Sequence, residues 1–221
     1  MSHTAEDLAV QQFSEQADHG IHAAAIELLA SQLTVDDKIL VVGAGQGSFE
    51  KRLMSAGIFP TQITAADINP ANRKIPQVPC VACNLNESIP FPDNMFDVCV
   101  GTEVIEHLSN PQRLIEEAHR VLRPKGCFLL TTPNVHSLVQ KIRFLFTDRF
   151  DYFAEADFTG SGHLHPIFNW WLERVIRSKF VIERYTSYSF HLRLIPGLPA
   201  IPMPFRSRLF APSNIYLLRR Y

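Results

Sequence analysis

Apolar and polar positions along the chain divide it into short β segments separated by helical ones. Residues 5–33 carry two helical stretches broken at Gly20, and Ile21, Ala24, Ala25, Leu28 and Leu29 share one face of the second. Lys38–Val42 is an apolar run of strand length. Phe49, Leu53 and Met54 then recur at helical spacing, which predicts a helix over Gly47–Gly57. Gln62–Ala66, Val78–Cys83 and Phe96–Gly101 read as three further strands, and the proline-rich link Asn69–Pro79 has room for only a stunted helix.

The clearest helix follows. Asn110 can cap it and Pro111 suits its first position, while Leu114, Ile115, Ala118, Val121 and Leu122 form one face and Arg123–Gly126 stops it. Cys127–Thr132 is a fifth strand. Residues 134–147 and 166–179 read as helical, and residues 148–165 as a loop rich in aromatics (Phe150, Tyr152, Phe153, Phe158). Phe180–Ser189 and Asn214–Arg220 read as two last strands around an apolar, proline-rich segment, Pro196–Pro212. The alternation of strand and helix through Thr132 implies a parallel, doubly wound α/β sheet.

Such a sheet binds ligands beyond the carboxyl ends of its strands, which turns those ends into a list of candidate residues. The first end is Gly43-Ala44-Gly45-Gln46-Gly47, where three glycines allow positive φ and let a ligand approach the backbone with no Cβ between. The helix that follows directs its first N–H groups toward this turn. The second end is Asp67, whose carboxylate can accept from ribose hydroxyls or cap the short segment after it. The third is Asn84 and Leu85, a base-edge contact with an apolar face, or a turn. The fourth is Thr102–His107 and the fifth Thr132–Asn134.

Composition adds exclusions. Of 221 residues 46% are hydrophobic, enough for a large core, and a net charge of −1 gives no basic footprint for nucleic acid. No apolar run reaches the roughly 18 residues of a spanning helix. Met1–Asp7 lacks the basic start and apolar run of a signal peptide, so a cytoplasmic location is expected. Cys80 and Cys83 form a C-x-x-C, but on a strand positions i and i+3 face opposite sides, so two core residues are expected rather than a metal or redox pair.

A G-x-G-x-x-G dinucleotide fingerprint would require glycine at position 48, and the chain has Ser48, so the G-x-G-x-G turn leans away from nicotinamide cofactors. Taken in order, Ile39–Gly47, Ala66-Asp67-Ile68, Asn84–Phe91, Phe96-Asp97-Val98, Glu103–Leu108, Arg120–Cys127 and Thr131–Asn134 make the chain similar to class I S-adenosylmethionine-dependent methyltransferases of the small-molecule type. The resemblance is strong over residues 36–135 and looser elsewhere.

It implies a Rossmann-like sheet of seven strands in the order 3-2-1-4-5-7-6, with strand 7 antiparallel and a helical insertion after strand 5. It implies a single domain, with N-terminal helices over residues 1–35, a cofactor core over 36–135, an acceptor-side lid over 136–179 and strands 6 and 7 in 180–221. S-adenosylmethionine is the implied cofactor and S-adenosylhomocysteine the product. Gly43, Ala44, Gly45, Gln46 and Gly47 would face its methionine part, Asp67 its ribose, Ile68, Asn84 and Leu85 its adenine, and Thr102 and Glu103 its sulfonium side. The family often has Asp where this chain has Asn84, whose carbonyl still accepts from the adenine amino group.

Methyl transfer to a hydroxyl also needs a proton removed, a task suited to histidine. His107, His136, His163 and His165 compete, and His107, His163 and His165 are the candidates carried forward. Glu106-His107 reads equally as a structural pair. The His-Leu-His of 163–165 offers two ligands with no third in view, so no metal is expected. Residues 144–166 read as a lid over the acceptor or as a hydrophobic cluster packing the inserted helix. Leu192–Phe210, with Arg193, Arg206 and Arg208, reads as a sheet-edge loop or dimer contact, or as a surface for a membrane or lipid-linked substrate. The expectation is methylation of a small-molecule acceptor, with oxygen ahead of nitrogen or carbon, by a monomer or homodimer. A catalytically silent binding module, a nicotinamide-dependent oxidoreductase and a nucleic-acid methyltransferase are the competing readings; the last lacks both a basic surface and an Asn-Pro-Pro-Tyr type motif.

Overall fold

The computed structural model describes residues 20–153, 162–188, 191–192, 201–202 and 208–221. The expected helix before Gly20, Phe158 of the lid segment, and Arg193 and Arg206 of the proline-rich segment lie outside these residues. Seven strands hydrogen-bond into one sheet: β1 (Ile39–Val42), β2 (Ile63–Asp67), β3 (Cys80–Ala82), β4 (Phe96–Gly101), β5 (Leu122–Pro133), β6 (Phe180–Tyr188) and β7 (Ser213–Arg220). Their order is β3-β2-β1-β4-β5-β7-β6, with β7 antiparallel to both neighbours and the other pairs parallel. The expected topology is the observed one.

Alternate residues of β1 face opposite layers, as the period of a strand requires. Leu40 and Val42 pack with Leu114, Ile115 and Ala118 of α3 (Pro111–Val121) and with Leu172 and Ile176 of α5 (Asn169–Ile176). Ile39 and Val41 pack with Ala25 and Leu29 of α1, described over 20–30, and with Phe49 and Leu53 of α2 (Ser48–Ser55). With a layer on each face, β1 can be apolar at every position, which is why its sequence shows no alternation.

Boundaries move where local chemistry overrides periodicity. Helix α2 ends at Ser55, two residues before Gly57. Strand β3 shrinks to Cys80–Ala82 and pairs only with β2, at the sheet edge. Cys80 and Cys83 are free thiols that pack into different layers, as expected for i and i+3 on a strand. Strand β5 begins at Leu122, and its pairing with β4 skips over Arg123–Gly126, where Lys125 takes a left-handed φ of 65°. The stop after α3 is thus an irregularity inside a strand. Asn110 caps α3 as predicted, its side chain accepting from the Arg113 N–H.

Helix α4 (Leu138–Thr147) leaves Leu138, Ile142, Phe144, Leu145 and Phe146 exposed. Phe144 stacks on Phe150 at 4.7 Å and Phe150 meets Phe168 at 6.0 Å, so these aromatics do pack the inserted helix. Arg208 donates to the Tyr185 carbonyl and lies 4.0 Å from the Tyr185 ring, at the β6 edge of the sheet. Among the described residues no helix is long and apolar enough to cross a membrane.

Glu117 ties α3 to the loop after β3. Its carboxylate accepts from the Ile89 N–H at 2.8 Å and from Arg120 at 2.7 Å, and Arg120 also reaches the Ile89 and Phe91 carbonyls. Burial pushes the Glu117 carboxyl up, but the bonds from Arg120 and Ile89 and the charges of Arg120 and Arg113 outweigh it and leave it below the usual carboxylate range. A carboxyl lower in the folded than the unfolded chain stabilises above the unfolded value of about 4.3, and that stabilisation is lost as pH falls through the folded value. Glu117→Gln should therefore lose about 1.5–3 kcal/mol at pH 7, the scale of hydrogen bonds to charged groups. Urea melts of the two proteins should converge below pH 4; a gap that does not change with pH would assign the loss to packing.

Candidate active site

The parallel register sets Val42 beside Ala66 on one side and Gly101 on the other, so β1, β2 and β4 end at one level. Gly43, Asp67 and Thr102 therefore open onto one crevice. Gly43, Gly45 and Gly47 have φ of 62°, 51° and 99°, the left-handed values expected. Their roles differ. A Cβ on Gly43 would lie 2.4 Å from the Val104 side chain and one on Gly47 would lie 2.7 Å from Ile75, whereas one on Gly45 would meet nothing within 4 Å. Two of the glycines allow packing, and the third leaves open space at the mouth of the turn.

Asp67 fixes that turn. Oδ2 accepts from the Gly45 N–H at 2.7 Å and Oδ1 from the Asn69 N–H at 2.8 Å. The bond to Asn69 is a local turn ahead of the short Pro70–Asn72 helix, whose N-cap is Asn69 and not Asp67 as the alternative expected, and the bond to Gly45 clamps the first two strand ends together. A carboxylate has about four acceptor sites, so each oxygen keeps a lone pair for a hydroxyl. Ala44 is buried and Gln46 exposed, its carbonyl held by the Lys74 N–H. Ile68 is 75% exposed beside the clamp, and Leu85 is buried. Asn84 is committed to a turn: Oδ1 accepts from the Asn86 N–H and Nδ2 donates to Glu87.

The end of β4 carries the titratable groups. Glu103, at a φ of 46°, donates its N–H to the Thr131 hydroxyl, which in turn donates to Oε1 of Glu103. Glu106 is fully buried in the turn Ile105–His107. Its Oε2 accepts from the Thr132 hydroxyl at 3.1 Å, while Oε1, also buried, has no hydrogen-bond partner among the described residues. Burial, with the nearby Glu103 charge, holds the Glu106 carboxyl well above the usual carboxylate range.

The loop after α4 folds back onto this turn. The N–H groups of Leu164 and His165 donate to the Glu106 carbonyl at 2.8 and 3.0 Å. The docking places the His163 ring 4.5 Å from the His107 ring. Nδ1 of His163 lies 2.6 Å from the Tyr152 carbonyl, so that nitrogen carries the proton. His165 is exposed and stands outside the cluster. Nε2 of His136 accepts the Asn169 N–H at the start of α5, and burial, with the Lys141 charge, holds that imidazole below its ordinary value. Of the four histidines, the structure joins His107 to His163 and ties His136 to a helix start.

Thr131 is the site residue that sequence reasoning left out, while Glu106 and Thr132 stood among the strand-end candidates without a role in cofactor binding or catalysis. Their only signal was position, since Thr131 and Thr132 close β5 and Glu106 adjoins His107. A cavity of about 330 Å³ between α1 and α2, lined by Ile26, Leu33, Leu53 and Phe59 among others, contains no titratable side chain. The crevice at the strand ends is where polar groups converge.

Residues 40–130 match a family described as a methyltransferase domain. The chain is 33% identical over 118 residues to a probable S-adenosylmethionine-dependent methyltransferase of Mycobacterium tuberculosis, a match covering 51% of this chain and 41% of that protein. It is 32% identical over 124 residues to a ubiquinone/menaquinone biosynthesis C-methyltransferase of Methylobacterium nodulans, covering 50% and 49%. The chain thus spans less than half the length of either relative. Among solved structures, an S-adenosylmethionine-dependent methyltransferase of Archaeoglobus fulgidus superposes with a TM-score of 0.69, covering 99% of this chain and 100% of that one, at 16% identity. That likeness bears on the fold alone.

Proposed function

We propose that the chain, whose residues 40–130 match a methyltransferase-domain family, is a class I S-adenosylmethionine-dependent methyltransferase that transfers the cofactor's methyl group to a hydroxyl oxygen of a small, largely apolar acceptor. One observation carries the reading: an open glycine turn clamped by a carboxylate stands at the sheet end from which β4 leads into the turn bearing His107, itself packed on His163. The residues fit the cofactor. The space at Gly45 admits a ligand against the backbone, the lone pairs left on Asp67 suit a ribose diol, and exposed Ile68 offers an apolar face to adenine. Gly43, Ala44, Gln46 and Gly47 would follow the methionine part, with Thr102 and Glu103 beside the sulfonium. Leu85 would bound the adenine, and Asn84 would do so through its backbone, since its side chain serves the turn.

When bound, the cofactor supplies an electrophilic methyl group on a positively charged sulfur. The protein then orients the acceptor, excludes water and receives a proton. His107 is the residue we assign to that proton, with His163 packed against it. The exposed apolar side chains of α4 support an acceptor with a hydrophobic portion, such as a quinone-like ring or a lipid-linked sugar. The quinone relative makes a ring carbon the second choice of methylated atom.

The test is transfer of radiolabelled methyl from S-adenosylmethionine into fractionated cell extracts. Label is expected in the organic phase. His107→Ala should lower turnover roughly 10²- to 10⁴-fold, the range of general acid–base catalysis, with unchanged affinity for S-adenosylhomocysteine. Cofactor binding without transfer to any fraction would make the chain a silent binding module.

A further inference from the structure

We propose that Glu106, His107 and His163 form a binding site for a divalent first-row transition metal ion. One ligand atom from each lies within 4.8 Å of the others, and such a grouping at the strand ends is what a small cation requires. Bonds of about 2.0–2.2 Å to nitrogen and oxygen draw ligands somewhat closer than this, which modest side-chain rotation achieves.

Two independent features point to a cation. The first is the orphaned oxygen. Glu106 is completely buried, Oε2 is satisfied by Thr132, and Oε1 has no hydrogen-bond partner among the described residues. A buried acceptor left unmade costs free energy, and a coordinated cation removes that cost. The second is the outer support of His163. Nδ1 donates to the Tyr152 carbonyl, so the one lone pair of the ring sits on Nε2. Histidines that bind metals are held this way, the second nitrogen donating to a backbone carbonyl or carboxylate. Tyr152 presents that carbonyl from a left-handed φ of 72°, a conformation costly for a tyrosine.

Two imidazoles and a carboxylate favour zinc, manganese, iron or cobalt over magnesium or calcium, which prefer oxygen ligands. Three protein ligands leave further positions open, as in catalytic rather than structural sites. Val104, which contacts Gly43 of the turn, lies two residues before Glu106, so the site adjoins the crevice assigned to the cofactor. Resting on the methyl-transfer reading, the ion would take the acceptor hydroxyl in an open position and lower its pKa. The hydroxyl proton leaves to water. The O–CH3 bond then forms as the S–CH3 bond breaks, and sulfur keeps the electron pair. His107 would then serve as a ligand instead of the proton acceptor, with the ion lowering the hydroxyl pKa so that water takes the proton.

The experiment titrates Co2+ into protein stripped with a chelator, follows the visible bands of bound cobalt, and adds Zn2+ or Mg2+ in competition. A single site that Zn2+ empties and Mg2+ does not is expected. His163→Ala and Glu106→Gln should each weaken Co2+ binding at least about 100-fold, since loss of an outer partner alone costs 10–100-fold. His165→Ala, from the same loop, should leave it unchanged. Circular dichroism verifies folding; half-exposed His163 is the variant for which misfolding is least expected. Folded protein that takes up no Co2+, or binds it equally well in the His163→Ala and Glu106→Gln variants, overturns the site. Binding of S-adenosylhomocysteine is measured on the same metal-free samples, so loss of the cofactor reading and loss of the metal site register separately.

Discussion

Asp67→Ala is expected to weaken S-adenosylhomocysteine binding by about 1.5–3 kcal/mol, roughly 10- to 150-fold, while the fold survives. The carboxylate holds two backbone N–H groups, one in the glycine turn and one after β2. In the proposed binding mode, removing it would deprive a ribose of its acceptor and free the turn that approaches the ligand. Both N–H groups lie at the edge of the crevice, where water replaces the lost bonds at small cost to stability. Asp67→Asn separates the two roles. An amide has only one oxygen, so it can serve Gly45 or Asn69, and its NH2 meets the other N–H head on. It should bind nearly as poorly as the alanine variant. Calorimetry with S-adenosylhomocysteine and urea melts in parallel make the comparison; unchanged affinity with an intact melt would remove Asp67 from the ribose.

The Asp67 clamp illustrates what was legible in the sequence. Strand, glycine turn and helix lie within one stretch, and their chemistry is local: an apolar run, residues free to adopt positive φ, then helical spacing. Phe96–Gly101 emerged with its predicted limits for the same reason. The order of β6 and β7 was not legible from periodicity and entered only through family resemblance, because antiparallel return pairing depends on contacts far apart along the chain. The Glu106, His107 and His163 cluster was hidden more deeply. His163-Leu164-His165 suggested two ligands from one loop, yet docking of that loop on the Glu106 carbonyl turns one histidine toward His107 and leaves the other in solvent. Glu106 and His107 precede α3 whereas His163 follows α4, and no spacing rule joins them. Asn84 follows the second of the two readings given for it, its side chain committed to a turn.

Gly43→Ala and Gly45→Ala should fail in different ways, and the contrast tests whether the turn is a cradle or only a tight bend. At Gly43 the new methyl would stand 2.4 Å from the Val104 side chain, at a φ of 62°. The left-handed backbone costs about 1–2 kcal/mol and forced overpacking about 1–3 more. A loss of roughly 2–5 kcal/mol is a large part of the 5–15 kcal/mol that holds a typical domain together. Thermal melts of Gly43→Ala should therefore drop steeply, and because Val104 leads into the Ile105–His107 turn, its displacement should disturb the histidine cluster as well. At Gly45 the methyl meets nothing within 4 Å, so only the backbone term of about 1–2 kcal/mol applies and the protein stays folded. Its methyl would occupy the space through which a ligand reaches the backbone, so S-adenosylhomocysteine affinity should fall more than tenfold. A Gly45→Ala protein that binds as tightly as the parent would mean that the open space at the turn is solvent, and that the ligand lies elsewhere along the strand ends.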